Sequence, residues 1–264
     1  MNENKSESRR RFLTGSAALA GATVLGANIE PAAAQEPGYV IDVPEVTSME
    51  IDGTRDRFPI RRVFCLGRNY RAHAIESGDN PDENPPFFFI KPRDAVVAAS
   101  DGFPYPQMTK ALRYEGEMVV ALKSGGKDIS QADALSHVYA YGVGVDMTRQ
   151  DLQQVAQKLS RPWAISKSFD KSAPCGPLYT VEKNGHAETG RIWLSVNDEV
   201  KQDSDLSLQI WSVAEGISIL SQYYELAPGD IIMTGTPAGI GLVVKGDVIK
   251  CGIEGLGEIE VRVT

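Results

Sequence analysis

Tyr114-Glu115-Gly116-Glu117-Met118-Val119-Val120 carries two carboxylates two positions apart at the entrance to a β-forming run. Alternation along a strand puts Glu115 and Glu117 on one face. Two like charges held so close repel unless a cation lies between them. A third acid, Asp146, follows the run Tyr139-Ala-Tyr-Gly-Val-Gly-Val145, and an acid at a strand end just before a helix is well placed to aim into a pocket. Three oxygen ligands with room for water suit Mg²⁺ or Mn²⁺ rather than zinc. As a ligand set they carry a charge of −3 that a divalent cation brings to −1. Glu258 and Glu260 repeat the spacing near the C-terminus and read as a solvated strand edge.

Base chemistry is offered by Gly67-Arg68-Asn69-Tyr70-Arg71-Ala72-His73-Ala74-Ile75-Glu76. After the glycine the segment has helical character, which puts His73 and Glu76 on the same face. A carboxylate beside an imidazole raises its basicity and holds its tautomer, the arrangement that activates a water. An ordinary surface His-Glu pair has the same spacing, so both readings stand at this level. His137 and His186 lack such partners and read as structural. With three histidines in the chain, a His-rich metal site is excluded.

The elements that must hold these groups are mostly strands. Val63 to Leu66, Phe87 to Ile90, Met118 to Leu122, Val138 to Val145, Ile192 to Val196, Asp230 to Thr234, Val248 to Cys251 and Ile259 to Val263 are short, rich in Val, Ile, Phe and Tyr, and bounded by turn residues. Ile210, Val213, Ile217 and Leu220 recur at helical spacing, as do Leu152, Val155, Ala156 and Leu159 within Asp151 to Ser160, ahead of Pro162. Ser77 to Pro86 reads as a loop. Regular βαβ alternation is missing, so the pattern predicts a β-rich α+β domain rather than a doubly wound sheet.

Composition narrows the classes further. The 264 residues are 42% hydrophobic and 23% charged, with a formal charge of −8. These are globular proportions, and the acidic balance argues against a nucleic-acid partner. Cys65, Cys175 and Cys251 form no CxxC pair, which excludes a disulfide scaffold or zinc ribbon; Cys65 and Cys175 read as packed thiols. No GxSxG elbow or HExxH motif is present. Gly142-Val143-Gly144 has Met147 where a dinucleotide fingerprint needs glycine, and the glycines of Gly235 to Gly241 are not followed by Lys-Ser/Thr.

At the N-terminus, Arg9-Arg10-Arg11-Phe12-Leu13 precedes a short apolar run and Ala32-Ala33-Ala34. A basic region, a short apolar stretch and an A-x-A site read as a twin-arginine-type export signal over residues 1–34. That predicts a periplasmic or exported protein, with the twin-arginine machinery as a partner of the precursor. Export of a folded chain would also explain how three thiols survive an oxidising compartment. Residues 35–60, with Pro37, Pro44 and Pro59, read as an N-terminal arm or small edge structure. Residues 61–264 then form the catalytic domain, and a chain of this size buries roughly 70–75% of its unfolded surface.

Five segments in order resemble the fumarylacetoacetate hydrolase family: Gly67-Arg68-Asn69-Tyr70-x-x-His73-x-x-Glu76, Tyr114-Glu115-x-Glu117, Val145-Asp146-Met147-Thr148, Lys167-Ser168-Phe169-Asp170, and Pro228-Gly229-Asp230 through Thr234-Gly235-Thr236-Pro237-x-Gly239. Pro85 to Pro92, Arg161-Pro162-Trp163 and Ser172 to Pro177 look most like its fumarylpyruvate hydrolase branch. The resemblance implies a mixed β-sandwich roll, a homodimer, and Mg²⁺ or Mn²⁺ held by Glu115, Glu117 and Asp146. It further implies His73 and Glu76 as the water-activating pair and Lys167 as a substrate and oxyanion contact. Arg68, Tyr70, Arg149, Gln153 and Thr236 would line the substrate pocket.

The implied reaction is hydrolysis of a C–C bond in a 2,4-diketo acid, fumarylpyruvate giving fumarate and pyruvate. The same metal site in the family also suits an isomerase or decarboxylase of a related 2-oxo acid, and a binding protein without turnover is a third reading. Two departures stand out. Gln150 occupies the position, four after Asp146, where this branch commonly has arginine, and Arg149 lies one residue earlier, turned by roughly 100° on a helix. Arg113-Tyr114 stands where acylpyruvases often have His-His, and in this resembles isomerase or decarboxylase relatives instead. Arg68, Arg113 and Arg161 are candidate contacts for a distal carboxylate, with ordinary surface pairing as the other reading.

Overall fold

Seven strands assemble into one mixed sheet: β1 (Arg62–Gly67), β2 (Phe87–Lys91), β3 (Val96–Ala98), β4 (Gly116–Leu122), β5 (Val138–Val145), β6 (Ala173–Thr180) and β7 (Asp230–Met233). Their spatial order is β2-β1-β7-β4-β5-β6-β3. β1 and β7 run parallel, as do β3 and β6, and the remaining pairs are antiparallel. A four-stranded antiparallel sheet joins Glu199–Asp205, Arg191–Val196, Val248–Ile253 and Glu258–Arg262. Strand makes up about 37% of the described residues and helix about 22%, the β-rich α+β composition expected. The computed structural model describes residues 38–264; the export-signal reading of residues 1–34 falls outside them. Residues 38–44 carry no regular element, and Glu45–Thr264 form one compact unit.

Both faces of the large sheet are covered, which is why its strands read as nearly unbroken apolar runs. Phe64, Met118, Val120, Val143, Val145 and Ile232 face one core, together with Ile192, Leu194, Ile249 and Val261 of the four-stranded sheet. Val63, Cys65, Val119, Ala121, Ile231 and Met233 face the other. There they meet Met49, Ile51, Phe58 and Ile60 from the hairpin of Ser48–Glu50 with Arg57–Pro59. Close strand approach needs small residues on β5. A Cβ on Gly144 would lie 2.9 Å from Val119 Cγ2 and 3.0 Å from Cys175 Sγ. The glycines that fail as a nucleotide fingerprint are thus packing residues of a central strand.

Four helices concern the site: α1 (Arg71–Glu76), α2 (Gln150–Lys158), α3 (Ala164–Lys167) and α4 (Val213–Tyr223). Of the predicted apolar stripe, Val213, Ile217 and Leu220 are buried on α4, whereas Ile210 precedes the helix. A capping box sets that start: Glu215 N–H donates to Ser212 Oγ, and Ser212 N–H to Glu215 Oε2 at 2.9 Å.

On α2 only Ala156 of the expected stripe is buried. Gln153 and Ala156 are the buried residues, and Val155 and Leu159 are exposed. The helix packs over a polar cavity, so its polar face turns inward. Ala173–Thr180 and Glu199–Asp205 also escape the sequence pattern. The first contains two prolines, accommodated by a register shift between Cys175 and Leu178; the second is almost entirely polar.

Candidate active site

Strand register brings the three acids together. Gly116 pairs with Val145 and Glu117 with Gly144, so Asp146, one step past β5, falls beside Glu115, and its N–H donates to Glu115 O at 2.8 Å. Alternation then aims all three side chains to the same side. They are buried, and each offers a carboxylate oxygen within 4.8 Å of the others.

Cations surround two of the three. Lys167 Nζ bridges Glu115 Oε2 at 2.8 Å and Asp146 Oδ2 at 2.7 Å. Arg113 donates through Nε and Nη2 to Glu115 Oε1. Lys91, fully buried on β2, lies 2.8 Å from Asp146 Oδ1 without hydrogen-bonding geometry, which leaves that buried oxygen without a donor. Its Nζ instead donates to Ser172 Oγ at 2.9 Å and to Lys167 O. Lys91, Lys167 and Arg113 thus set three positive charges around the ligand set's −3, every one of them against Glu115 or Asp146. Lys91 escaped the sequence reading because a lysine ending an aromatic strand looks like a surface residue. Lys91→Met should destabilise the fold by about 3–5 kcal/mol, since it leaves part of a buried charge cluster uncompensated. Urea unfolding tests this, and an unchanged midpoint would refute it.

Glu117 has no cation of its own and accepts only from Gly235 N–H at 2.9 Å. Burial, with Asp146 and Glu115 alongside, pushes its carboxyl well above the usual range. Burial alone would raise Glu115 too, but Lys167, Arg113 and His73 outweigh it and hold that carboxyl well below. A buried carboxylate under net repulsion, next to a donor-free Asp146 oxygen, fits a hard divalent cation.

The base pair sits across the cavity. His73 Nδ1 lies 3.3 Å from Glu76 Oε2, and Gly239 N–H donates to Glu76 Oε1 at 3.1 Å. Gly239 has φ +98°, and a Cβ there would lie 2.0 Å from Lys201 O, so glycine is required. Burial lowers the His73 pKa from its ordinary 6.5, outweighing Glu115 and the Glu76 hydrogen bond, which raise it. A neutral imidazole is thereby available near pH 7.

Two buried amides lock the frame. Asn69 Nδ2 donates to Trp211 O and Thr234 O, each at 2.9 Å, and Asn69 Oδ1 accepts from Trp211 N–H. Gln202 Nε2 donates to Thr236 Oγ1 and Pro237 O, and Gln202 Oε1 accepts from Gly116 N–H. Gln202 carried no sequence signal, being one polar residue in a polar strand.

His73, Glu76, Glu115, Glu117, Lys167, Arg68, Gln153 and Thr236 all line a cavity of about 200 Å³. A larger groove of about 560 Å³ lies between the hairpin and the C-terminal strand and holds none of this cluster. Two expected pocket residues are corrected. Tyr70 is buried in the main core and does not line the cavity. Arg149 stacks on Phe169, 4.3 Å from the ring centre, and donates to Ile165 O; the one-residue offset from position 150 points it out of the cavity. Arg161 is exposed and does not line it either. His137 and His186 bond Ser124 and Tyr141 hydroxyls. All three cysteines are buried and free.

A mixed sheet whose strand ends gather three buried carboxylates, with a His-Glu pair opposite, defines an enzyme built around a divalent-cation site. Residues 62–264 match the model for the fumarylacetoacetate (FAA) hydrolase C-terminal domain, and the chain belongs to the fumarylacetoacetate hydrolase family. It is 40% identical over 177 residues to the fumarylpyruvate hydrolase of Ralstonia sp, covering 67% of this chain and 92% of that protein. It is 35% identical over 198 residues to the mitochondrial oxaloacetate decarboxylase of Dictyostelium discoideum, covering 74% and 90%. The crystal structure of Pseudomonas aeruginosa fumarylpyruvate hydrolase with Mn²⁺ and pyruvate superposes with a TM-score of 0.84 at 48% identity, over 86% of this chain and 99% of that one.

Proposed function

We propose that this protein is a divalent-metal-dependent hydrolase of 2,4-diketo acids, with fumarylpyruvate as substrate and fumarate and pyruvate as products. The observation that carries the reading is the His73–Glu76 pair sharing one small cavity with Glu115 and Glu117, behind which Asp146 completes the acidic cluster. Similarity to two fumarylpyruvate hydrolases supports the choice of acyl group.

Glu115, Glu117 and Asp146 would hold the cation, Mg²⁺ or Mn²⁺, which supplies Lewis acidity toward the carboxylate and 2-oxo oxygens of the substrate. His73 takes a proton from water, with Glu76 holding the imidazole and stabilising its charged form. The water oxygen attacks the distal acyl carbonyl. Lys167 has three N–H donors, two of them committed to Glu115 and Asp146; the third serves the developing oxyanion. The C–C bond then breaks, its electron pair leaving with the pyruvate fragment as an enolate, whose carbon takes up the proton that His73 removed from water.

The test is incubation of the metal-loaded protein with fumarylpyruvate and, separately, oxaloacetate. Loss of enol absorbance with equal yields of fumarate and pyruvate supports the proposal. Carbon dioxide from oxaloacetate with fumarylpyruvate untouched would replace it with the decarboxylase reading that the Dictyostelium relative brings. Protonated His73 cannot accept a proton, so kcat/KM should fall as pH falls. Because burial lowers the pKa of His73, the midpoint should lie below 6.5. A midpoint above that value would remove His73 as the base.

A further inference from the structure

The cavity wall formed by α2 is made of amides. Gln150, Gln153, Gln154 and Gln157 all line the cavity, at the 3- and 4-residue spacings that share one helix face. Gln153 is committed: its Oε1 accepts from Arg113 Nη2 at 2.8 Å. Among the described residues no hydrogen bond involves the side chains of Gln150, Gln154 or Gln157, although this face looks into a site where nearly every other polar group is paired.

The cations lining the same cavity are already engaged. Arg68 pairs with Asp79 at 2.8 Å, Arg113 with Glu115, and Lys167 with Glu115 and Asp146. A ligand group arriving at the α2 side thus meets amide N–H donors before any uncommitted guanidinium. Side-chain amides donate to an anionic oxygen without adding charge to a cluster whose charges are matched. An alkyl tail would gain nothing from them.

We propose that Gln150, Gln154 and Gln157 form the recognition surface for the acyl end of the substrate. They select 2,4-diketo acids whose tail carries a hydrogen-bonding oxygen, a carboxylate above all, over those with a plain alkyl tail. This rests on the acylpyruvate reading and adds to it the determinant of acyl choice. The side chains of these glutamines make no hydrogen bond to His73 or to the acidic cluster among the described residues, so their effect falls on binding of the tail and hence on KM.

The experiment compares the wild type with the double variant Gln154→Ala/Gln157→Ala, loaded with Mn²⁺. The substrates are fumarylpyruvate and acetylpyruvate, which share the diketo-acid head and differ in the tail. Both side chains are exposed, and alanine suits a helix, so a matching thermal melt should accompany the kinetics. The ratio of kcat/KM for fumarylpyruvate over acetylpyruvate should fall at least tenfold in the variant, the effect of losing one or two hydrogen bonds to a charged group. The change should appear in KM for fumarylpyruvate. An unchanged ratio in an active variant would overturn the proposal and leave the hydrolase reading intact. A wild type that cleaves neither substrate would overturn both.

Discussion

Replacing His73 with alanine should lower kcat by about 10² to 10⁴, the range a positioned general base contributes, while leaving affinity for Mn²⁺ essentially unchanged. The two halves of this prediction come from separate observations. His73 lies on α1, with its Nδ1 toward Glu76, and is not among the clustered carboxylates. The helix is held independently by Asn69, whose amide ties it to Trp211 and Thr234. Loss of the imidazole should therefore leave the cavity frame standing. Steady-state kinetics and calorimetric titration of Mn²⁺ into wild type and variant decide the matter. A variant that has lost metal binding would show that His73 supports the cluster rather than the water.

Glu117→Gln should abolish the metal response, and in a revealing way. The residue has no cationic partner, and burial beside Asp146 and Glu115 disfavours its charged form. In chelator-treated protein the amide removes that repulsion, so the variant should melt at or above the wild-type temperature. Added Mg²⁺ or Mn²⁺ should raise the wild-type melting temperature and leave the variant unmoved. Removing even an outer-shell partner of a metal commonly costs about 10–100-fold in affinity, so loss of a direct ligand should weaken binding by at least that and eliminate turnover. A metal-induced shift retained in the variant would exclude Glu117 as a ligand.

Much of this site was legible before the fold because its members obey local geometry. Glu115 and Glu117 share a face by strand alternation, and His73 and Glu76 share one by helical spacing; both pairs meet in the structure as their spacing implies. All eight predicted strands form for the same reason, as apolar runs between turn residues, and the shorter or polar strands beside them were not legible. The illegible part is long-range. Lys91 is 55 positions from Asp146, and Gln202 is 86 from Gly116, and nothing near either residue marks it as a partner. Arg149 and Tyr70 fail in the opposite sense. Each sits in a recognisable motif, but a side chain's direction depends on the neighbouring core, and neither lines the cavity. The α2 helix misled because apolar spacing identifies an inward face only when the inside is apolar.

The equal count of three buried acids and three neighbouring cations, Lys91, Lys167 and Arg113, has a thermodynamic corollary. Adding a divalent cation to a buried cluster of zero formal charge leaves two positive charges in a place where uncompensated charge is costly. An anionic 2-oxo acid entering the same cavity cancels them. Metal and substrate should then be linked ligands, each raising the other's affinity by the same factor, because coupling free energy between sites is reciprocal. The protein's own lysines and arginine, by offsetting the charge of Glu115 and Asp146 in advance, turn a site that would otherwise hoard cations into one that holds its metal most firmly when the substrate arrives.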